Sequence, residues 1–362
     1  MLEGKAFRRR LGLLLRGLSG RAIVRALMPV IAVGVALLGG GIVIALSGVN
    51  PLVAYRELFK GAFGSTYSLG EILVRATPLG FTGLAFAVAS RGGLTNIGAE
   101  GQLYAGALGA TLVALLLPHL PPYVLVPLTL LAACAFGGIW GAIPGILKAR
   151  WNVNEFVNTV MMNYIALYLV NQVVSGPLRE TPRGEFPQTN MFVKAAWMPI
   201  LVPGTRLTVG IILLLFLAVG IYVLLWKTAW GYQVRVMGHN PRAALYAGMN
   251  SARIMVLNLA LAGALAGMGG AIEVTGVLHR LMIDFSPGYG YTGITVALLG
   301  RKHPFGVIVA ALFFGVLRIG GRAMESYSRV SFYVIRIMEA LLLLAILSSD
   351  FVGRRLLEPR AR

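Results

Sequence analysis

The sequence predicts an all-α membrane protein, a polytopic bundle of about ten transmembrane helices. Three observations predict it. Of the 362 residues, 57% are hydrophobic and only 12% charged, where a soluble domain carries roughly 25% charged residues. The apolar residues fall into ten successive runs, several of them short or interrupted by glycine. The 32 basic side chains outnumber 13 acidic ones, for a formal charge of +19, and they collect in the connections between runs. That placement sets orientation in a bilayer and does not form the continuous basic stripe of a nucleic-acid binder.

Residues 1–22 form a basic segment with Lys5, Arg8, Arg9, Arg10, Arg16 and Arg21. The apolar run that follows, 23–46, is too long for a signal-peptide core and no small-residue cleavage site follows it. It is expected to be an uncleaved first span with the N-terminus in the cytoplasm. Residues 50–70 read as an amphipathic segment on the outer surface. Further runs lie at 71–90, 102–117, 123–147, 153–175, 206–226, 253–275, 289–300, 304–321 and 331–349. With the first they complete the predicted set, so the transmembrane domain is placed at 23–349. An even count puts both termini on the cytoplasmic side, and the tail 350–362 agrees with Arg354, Arg355, Arg360 and Arg362. Most basic residues then face inward, including Arg91, Lys148, Arg150, Arg301 and Lys302. Outer connections carry Glu57, Glu71, Glu180, Glu185, Asp284 and Glu325.

Two connections are longer than a turn requires. The outer one, 176–205, holds Pro177, Pro182, Pro187, Pro199 and Pro203; it is expected to be irregular, exposed and suited to meeting a partner. The inner one, 227–253, is the longest basic interruption of the chain. Gly238, Pro241 and Gly248 punctuate a short alanine-rich helix there, with Asn240 placed to cap it and Pro241 in its first turn. This stretch reads as a docking surface.

Glycines recur every four residues at Gly137, Gly141 and Gly145, and again at Gly263 and Gly267. In lipid that spacing lets helix backbones approach closely. Polar residues in apolar surroundings mark the candidate translocation path. Asn96, Glu100 and Gln102 lie in 91–102, a stretch between two runs that reads as a broken segment or an ordinary cytoplasmic turn. Asn158 and Asn163 belong to a second cluster with Asn152, Asn154 and Glu155. Asn154 and Asn158, four apart, are expected on one helix face. Amides offer paired donors and acceptors to a polar, uncharged solute, and equally to a neighbouring helix. Glu273 is placed near the outer end of its span.

Other classes find no support. Cys134 is the single cysteine, so no intrachain disulfide forms; the four histidines have no metal-ligand spacing, and no metal or cofactor is expected. Neither a P-loop nor a catalytic constellation occurs, so the chain is not expected to be an enzyme. Gly288, Gly290 and Gly293 fit G-x-G-x-x-G, but an outer connection precedes them where a nucleotide fold needs a strand. They read as a helix break.

Three stretches resemble one family. GLTNIGAEGQLYAGALGA at 93–110 resembles the G-L-F-N-I-G-x-E-G-Q signature of ABC importer permeases of the branched-chain amino acid and simple-sugar superfamily, with Thr95 where Phe is usual. GHNPRAALYAGMNSARIMVLNLALAGALAGMGGAIEVTG at 238–276 resembles that family's G-x-N-x-x-A-A-x-Y-A-G-I loop and following span. VALLGRKHPFGVIVAALFFGVL at 296–317 resembles a third block. The N-I-G-x-E-G-Q variant is most similar to the subgroup that works with basic-membrane-protein-type binding lipoproteins and is associated with purine nucleosides.

The resemblance implies a permease in the plasma membrane with a fold like the type II importers: broken helices and two inverted halves, here only weakly similar in sequence. It implies an ATP-binding partner in the cytoplasm, a second permease (a paralogue in this subgroup) and an external binding lipoprotein. ATP would then be used by the partner. Gly238, Asn240, Ala243, Ala244, Tyr246, Ala247 and Gly248 match the loop that couples to the ATPase. Import of a monosaccharide or branched-chain amino acid by the same machinery is the nearest alternative. An ion-coupled secondary transporter is a further one, disfavoured by the few acidic residues in the spans.

Overall fold

The computed structural model describes residues 30–181, 186–328 and 330–357, with side chains through residue 348. The basic segment 1–22 and the last residues of the tail lie outside the described residues. Among the described residues there are only helices, connections and isolated bridges, as an all-α reading requires. Among the described residues six helices are long and apolar enough to cross a membrane, or seven if Val30–Leu46 (α1) and Pro51–Phe63 (α2) count as one bent span.

The chain divides into two compact units. Among the described residues the smaller comprises 30–55 with 324–328 and 330–357. In it Tyr55 donates its hydroxyl to Leu37 O. Gly40 of α1 faces α13 (Tyr333–Leu357) so closely that a Cβ would lie 2.5 Å from Met338 Cγ.

The larger unit, residues 56–323, holds the candidate site. Its centre is α3 (Thr66–Arg91) and α4 (Ala99–Leu116), buried over most of their length. Around them stand α5 (Pro122–Trp151), α6 (Glu155–Ser175), α7 (Gly210–Lys227), α10 (Ser251–Glu273), α11 (Tyr289–Leu299) and α12 (Pro304–Ser328). α5 and α10 touch through the predicted glycines. Gly137 meets Gly263 O, Gly141 meets Leu259 O, and a Cβ on Gly137 would sit 2.9 Å from Gly267 Cα. Any side chain there would drive two backbones apart, so the small-residue spacing is read as packing.

The structure corrects three expectations. The run 289–300 does not make a full span. α11 has 11 residues, about 17 Å of helix, against an apolar core of about 30 Å. It is a half-span, begun by Gly288 in the left-handed region (φ 86°). Asn154 does not share a face with Asn158: it is the N-cap of α6 and accepts from Phe156 N at 3.0 Å, while Asn152 ends α5 in the left-handed region. The outer connection is irregular but not free. Thr189 N donates to Leu281 O at 2.9 Å and Phe192 N to His279 O at 2.8 Å, and Phe192, Ala196 and Met198 are buried. Backbone groups left unpaired by irregular structure pair with another irregular segment instead.

Candidate translocation path and coupling surface

The inner connection folds as α8 (Ala229–His239) and α9 (Pro241–Tyr246), followed after four residues by α10. Thr228 caps α8 and Asn240 caps α9, its Oδ1 accepting from Ala243 N at 3.1 Å. Pro241 occupies the first turn, where no N–H is needed. Gly248, at φ 72°, reverses the chain after α9 and donates to Leu245 O. Of the predicted coupling residues, Ala244 alone is fully buried. Leu245 and Tyr246 project, Tyr246 with 90% of its surface exposed. Behind them a cavity of about 570 Å³ opens between Trp230, Tyr232 and Gln233 on one side and Gly248, Asn250 and Arg253 on the other. Gly238 ties this surface to the spans, because its Cα packs directly on Arg91 O. Arg91 in turn donates to Lys302 O at 3.1 Å and stacks over Trp226.

The predicted path residues Asn96, Glu100, Gln102 and Asn163 come together as one buried polar knot. Asn96 and Gln102 exchange amide hydrogen bonds at 3.0 and 3.2 Å. Asn163 accepts from Gly101 N at 2.8 Å and donates to Ile97 O at 3.0 Å. Thr159, one turn earlier on α6, accepts from Ile97 N. The glycines of 98–101 allow this approach: a Cβ on Gly101 would meet Asn163 Cα at 2.9 Å. Glu100 reaches the other way and accepts from Gly290 N at 2.5 Å, in the first turn of α11. A carboxylate at a helix N-terminus satisfies an orphan donor and the helix dipole together. So the fingerprint glycines serve close contact: Gly290 against Glu100 and Gly293 against Thr82. Asn158 stands apart, half-buried, its Nδ2 without a partner.

A second charged cluster holds the same helix from the opposite side. Arg75 of α3 donates to Tyr289 Oη at 2.8 Å and pairs with Glu273 at 3.6 Å. Thr82 donates to Tyr289 O at 3.0 Å. One turn above Arg75, Glu71 takes a two-pronged contact from Arg206 at 2.8 and 2.5 Å. Such clustering keeps ions tolerable at depth. At Glu273, α10 passes into a π-turn, Val274–Leu278, the sort of irregularity that marks functional sites.

Sequence reasoning missed Tyr164, Tyr168, Asn171, Asp284 and Tyr291. Asn163 Nδ2 reaches Tyr291 Oη at 3.3 Å and Asn171 Nδ2 reaches Asp284 Oδ1 at 3.3 Å. The available signal was the spacing of Tyr164, Tyr168 and Asn171, four and three residues apart on one face of α6.

Comparison with known proteins places the chain. The branched-chain amino acid transport system permease component matches residues 68–347. The glucose ABC transporter permease protein TsgB13 of Haloferax volcanii is 38% identical over 90% of this chain and 88% of its own length. The guanosine ABC transporter permease protein NupP of Bacillus subtilis is 37% identical over 89% of this chain and 93% of its own. The nucleoside ABC transporter permease protein NupB of Lactococcus lactis is 34% identical over 83% and 85%. With the half-span α11, the glycine-packed α5 and α10 and the projecting α9 on a multi-pass helical frame, the chain belongs to the branched-chain amino acid transport permease family of ABC importers.

Proposed function

We propose that this chain is the transmembrane permease of an ATP-driven importer whose solute is a nucleoside. The observation that carries the importer reading is α9, a six-residue helix capped at its start by Asn240 and closed by Gly248, with Leu245 and Tyr246 outward. A self-contained helix joined to α10 by only four residues converts a push into rigid-body movement of a span. Gly238, Asn240, Ala243, Ala244, Tyr246, Ala247 and Gly248 form this contact with a cytoplasmic ATP-binding subunit. A second permease, a paralogue, completes the conduit, and an external binding lipoprotein delivers solute to the side of residues 176–205. The protein sits in the plasma membrane with both termini in the cytoplasm, as the basic inner connections favour. The polar knot of Asn96, Glu100, Gln102 and Asn163, with Asn158 beside it, belongs to the path wall and fixes its shape from behind.

The nucleoside assignment is supported by two relatives named for guanosine and for nucleosides. A sugar is the second reading, favoured by the relative named for glucose. Both share a ring bearing several hydroxyls. In the complete importer, Tyr246→Asp with Ala247→Asp is expected to abolish ATP hydrolysis stimulated by loaded binding protein while the complex still assembles. Unchanged stimulation would refute the coupling role. Uptake of labelled guanosine, competed by nucleosides and by glucose, decides the solute: competition by glucose alone would refute the nucleoside reading.

A further inference from the structure

We infer that one edge of α6, formed by Tyr164, Tyr168 and Asn171 and faced by Asp284 and Tyr291, is the surface over which a nucleoside passes: the tyrosine rings take the base and the Asn171–Asp284 pair takes the ribose hydroxyls. The inference rests on the nucleoside reading above and assigns the parts of that solute to residues.

α6 has three sides. Thr159, Met162, Asn163, Ala166, Val170 and Val174 are buried against the rest of the unit. Ile165 and Leu169 make an exposed aliphatic edge suited to lipid. The third side holds Tyr164 at 51% exposure, Tyr168 at 66% and Asn171. Tyrosines facing lipid belong at the membrane interfaces, where the hydroxyl finds water. Tyr164 does not lie there. It is the tenth residue of a 21-residue helix, about 14 Å from one end and about 17 Å from the other. Tyr291 lies on the same side, 43% exposed and hydrogen-bonded to Asn163, the residue before Tyr164.

The segment opposite is irregular backbone. Residues 279–288 run inward until Tyr289 starts α11 beside Thr82, and on the way Phe285 packs on Tyr104 at 4.6 Å. Thr82 is the seventeenth residue of α3, about 24 Å from that helix's outer end. Open backbone at such depth is tolerated where it is packed in protein or lines a water-filled cavity, never against hydrocarbon. Asp284, exposed at the outer part of this segment, needs water too. The polar edge of α6 and the open segment therefore share one wet wall, while Ile165 and Leu169 face lipid.

The chemistry of that wall fits a nucleoside. Asp284 is an exposed carboxylate that Asn171 orients through Nδ2, one bond that leaves acceptor sites on both carboxylate oxygens. Two neighbouring acceptors match two neighbouring hydroxyl donors, and carboxylates bind ribose hydroxyls in this manner elsewhere. One helical turn below, successive ring faces accept any base by stacking. A phosphorylated nucleoside would bring its negative charge toward Asp284 and be disfavoured.

The test uses the complete importer carrying Cys134→Ser. Tyr168→Cys is expected to react with a hydrophilic, membrane-impermeant thiosulfonate, and guanosine to slow the reaction. Ile165→Cys in the same background is expected to resist that reagent and to react with a membrane-soluble maleimide. Asp284→Asn is expected to raise KM for guanosine about tenfold, as loss of a hydrogen bond to a charged acceptor does. Uptake of 2′,3′-dideoxyguanosine should stay as it was. Labelling of Tyr168→Cys by the maleimide alone, or labelling that guanosine does not slow, overturns the inference. So does an equal effect of Asp284→Asn on both nucleosides. If the unaltered importer carries no nucleoside, the functional reading and the nucleoside assignment fail together. The contrast between Tyr168→Cys and Ile165→Cys then still decides whether this edge lines water.

Discussion

Two short helices of this protein meet the same difficulty in opposite ways. Every helix leaves its first N–H groups without partners. At α9 the remedy is local: Asn240, the residue just before the helix, accepts from Ala243 N, and Pro241 removes one donor. At α11 the remedy is borrowed: Gly290 N donates to Glu100, 190 positions away in the chain. α9 projects Leu245 and Tyr246 to the outside, whereas the start of α11 is buried among α3, α4 and α10. A helix that carries its own cap can move as a unit and meet a partner. A helix capped by another span has its depth set by that span.

Glu100→Ala should give the largest effect. It leaves Gly290 N buried without an acceptor, which costs about 1–3 kcal/mol for that group alone, and the dipole of α11 loses its anion. The expected result is a large fall in the thermal midpoint and in the monodisperse yield of the purified complex. Glu100→Gln keeps an acceptor without the charge and should fall between. A Glu100→Ala protein as stable as the parent would erase the distinction between borrowed and local capping.

Asn240→Ala sharpens the contrast from the other side. Loss of an N-cap is worth about 1 kcal/mol, and here it is confined to a six-residue helix in which only Ala244 is buried. The thermal midpoint of the complex should hardly move, while ATP hydrolysis stimulated by loaded binding protein should drop. Asn240→Asp, which can cap equally well, should restore it. A global loss of stability from Asn240→Ala, comparable to that from Glu100→Ala, would mean that α9 is not the independent unit its contacts describe.

The same contrast explains what could be read in the chain before its structure was known. α9 was legible down to its cap because Asn240, Pro241 and Gly248 lie within nine residues of one another and each carries its own backbone preference. The glycine packing faces of α5 and α10 were legible for the same reason, since a four-residue spacing is a property of one helix, but that the two faces meet each other was not. Asn96, Glu100, Gln102 and Asn163 stood out as polar residues in apolar surroundings, but their partners did not. Glu100 pairs with Gly290 and Asn163 with Gly101 only because the fold brings α4, α6 and α11 to one place. The run 289–300 was already short in the sequence, but its depth was not legible there, because Arg75, Thr82 and Glu100 fix it from elsewhere in the chain. Tyr164 and Tyr168 do not stand out within the apolar run 153–175. What sets them apart is the open segment across from them.

The smallest effect concerns the joint between the outer connection and the end of α10. His279 stacks on Trp197 with ring centroids 3.9 Å apart, and its Nδ1 lies 3.0 Å from Thr275 O. Burial holds its pKa below the ordinary histidine value, against the opposing pull of that backbone contact. The unfolded chain therefore takes up this proton first as pH falls from about 6.5. In the window between that value and the depressed one, the unfolded state binds more protons, so stability falls with falling pH and levels off below the window. Above about pH 6.5 the contribution is complete. His279→Phe keeps a ring to stack on Trp197 and removes the titration. Between pH 7.5 and 5.5 the thermal midpoint of the unaltered complex should therefore fall further than that of the variant. Equal falls would place the pH dependence elsewhere and leave this joint held by stacking and by the backbone pairs from Phe192 and Met198 alone.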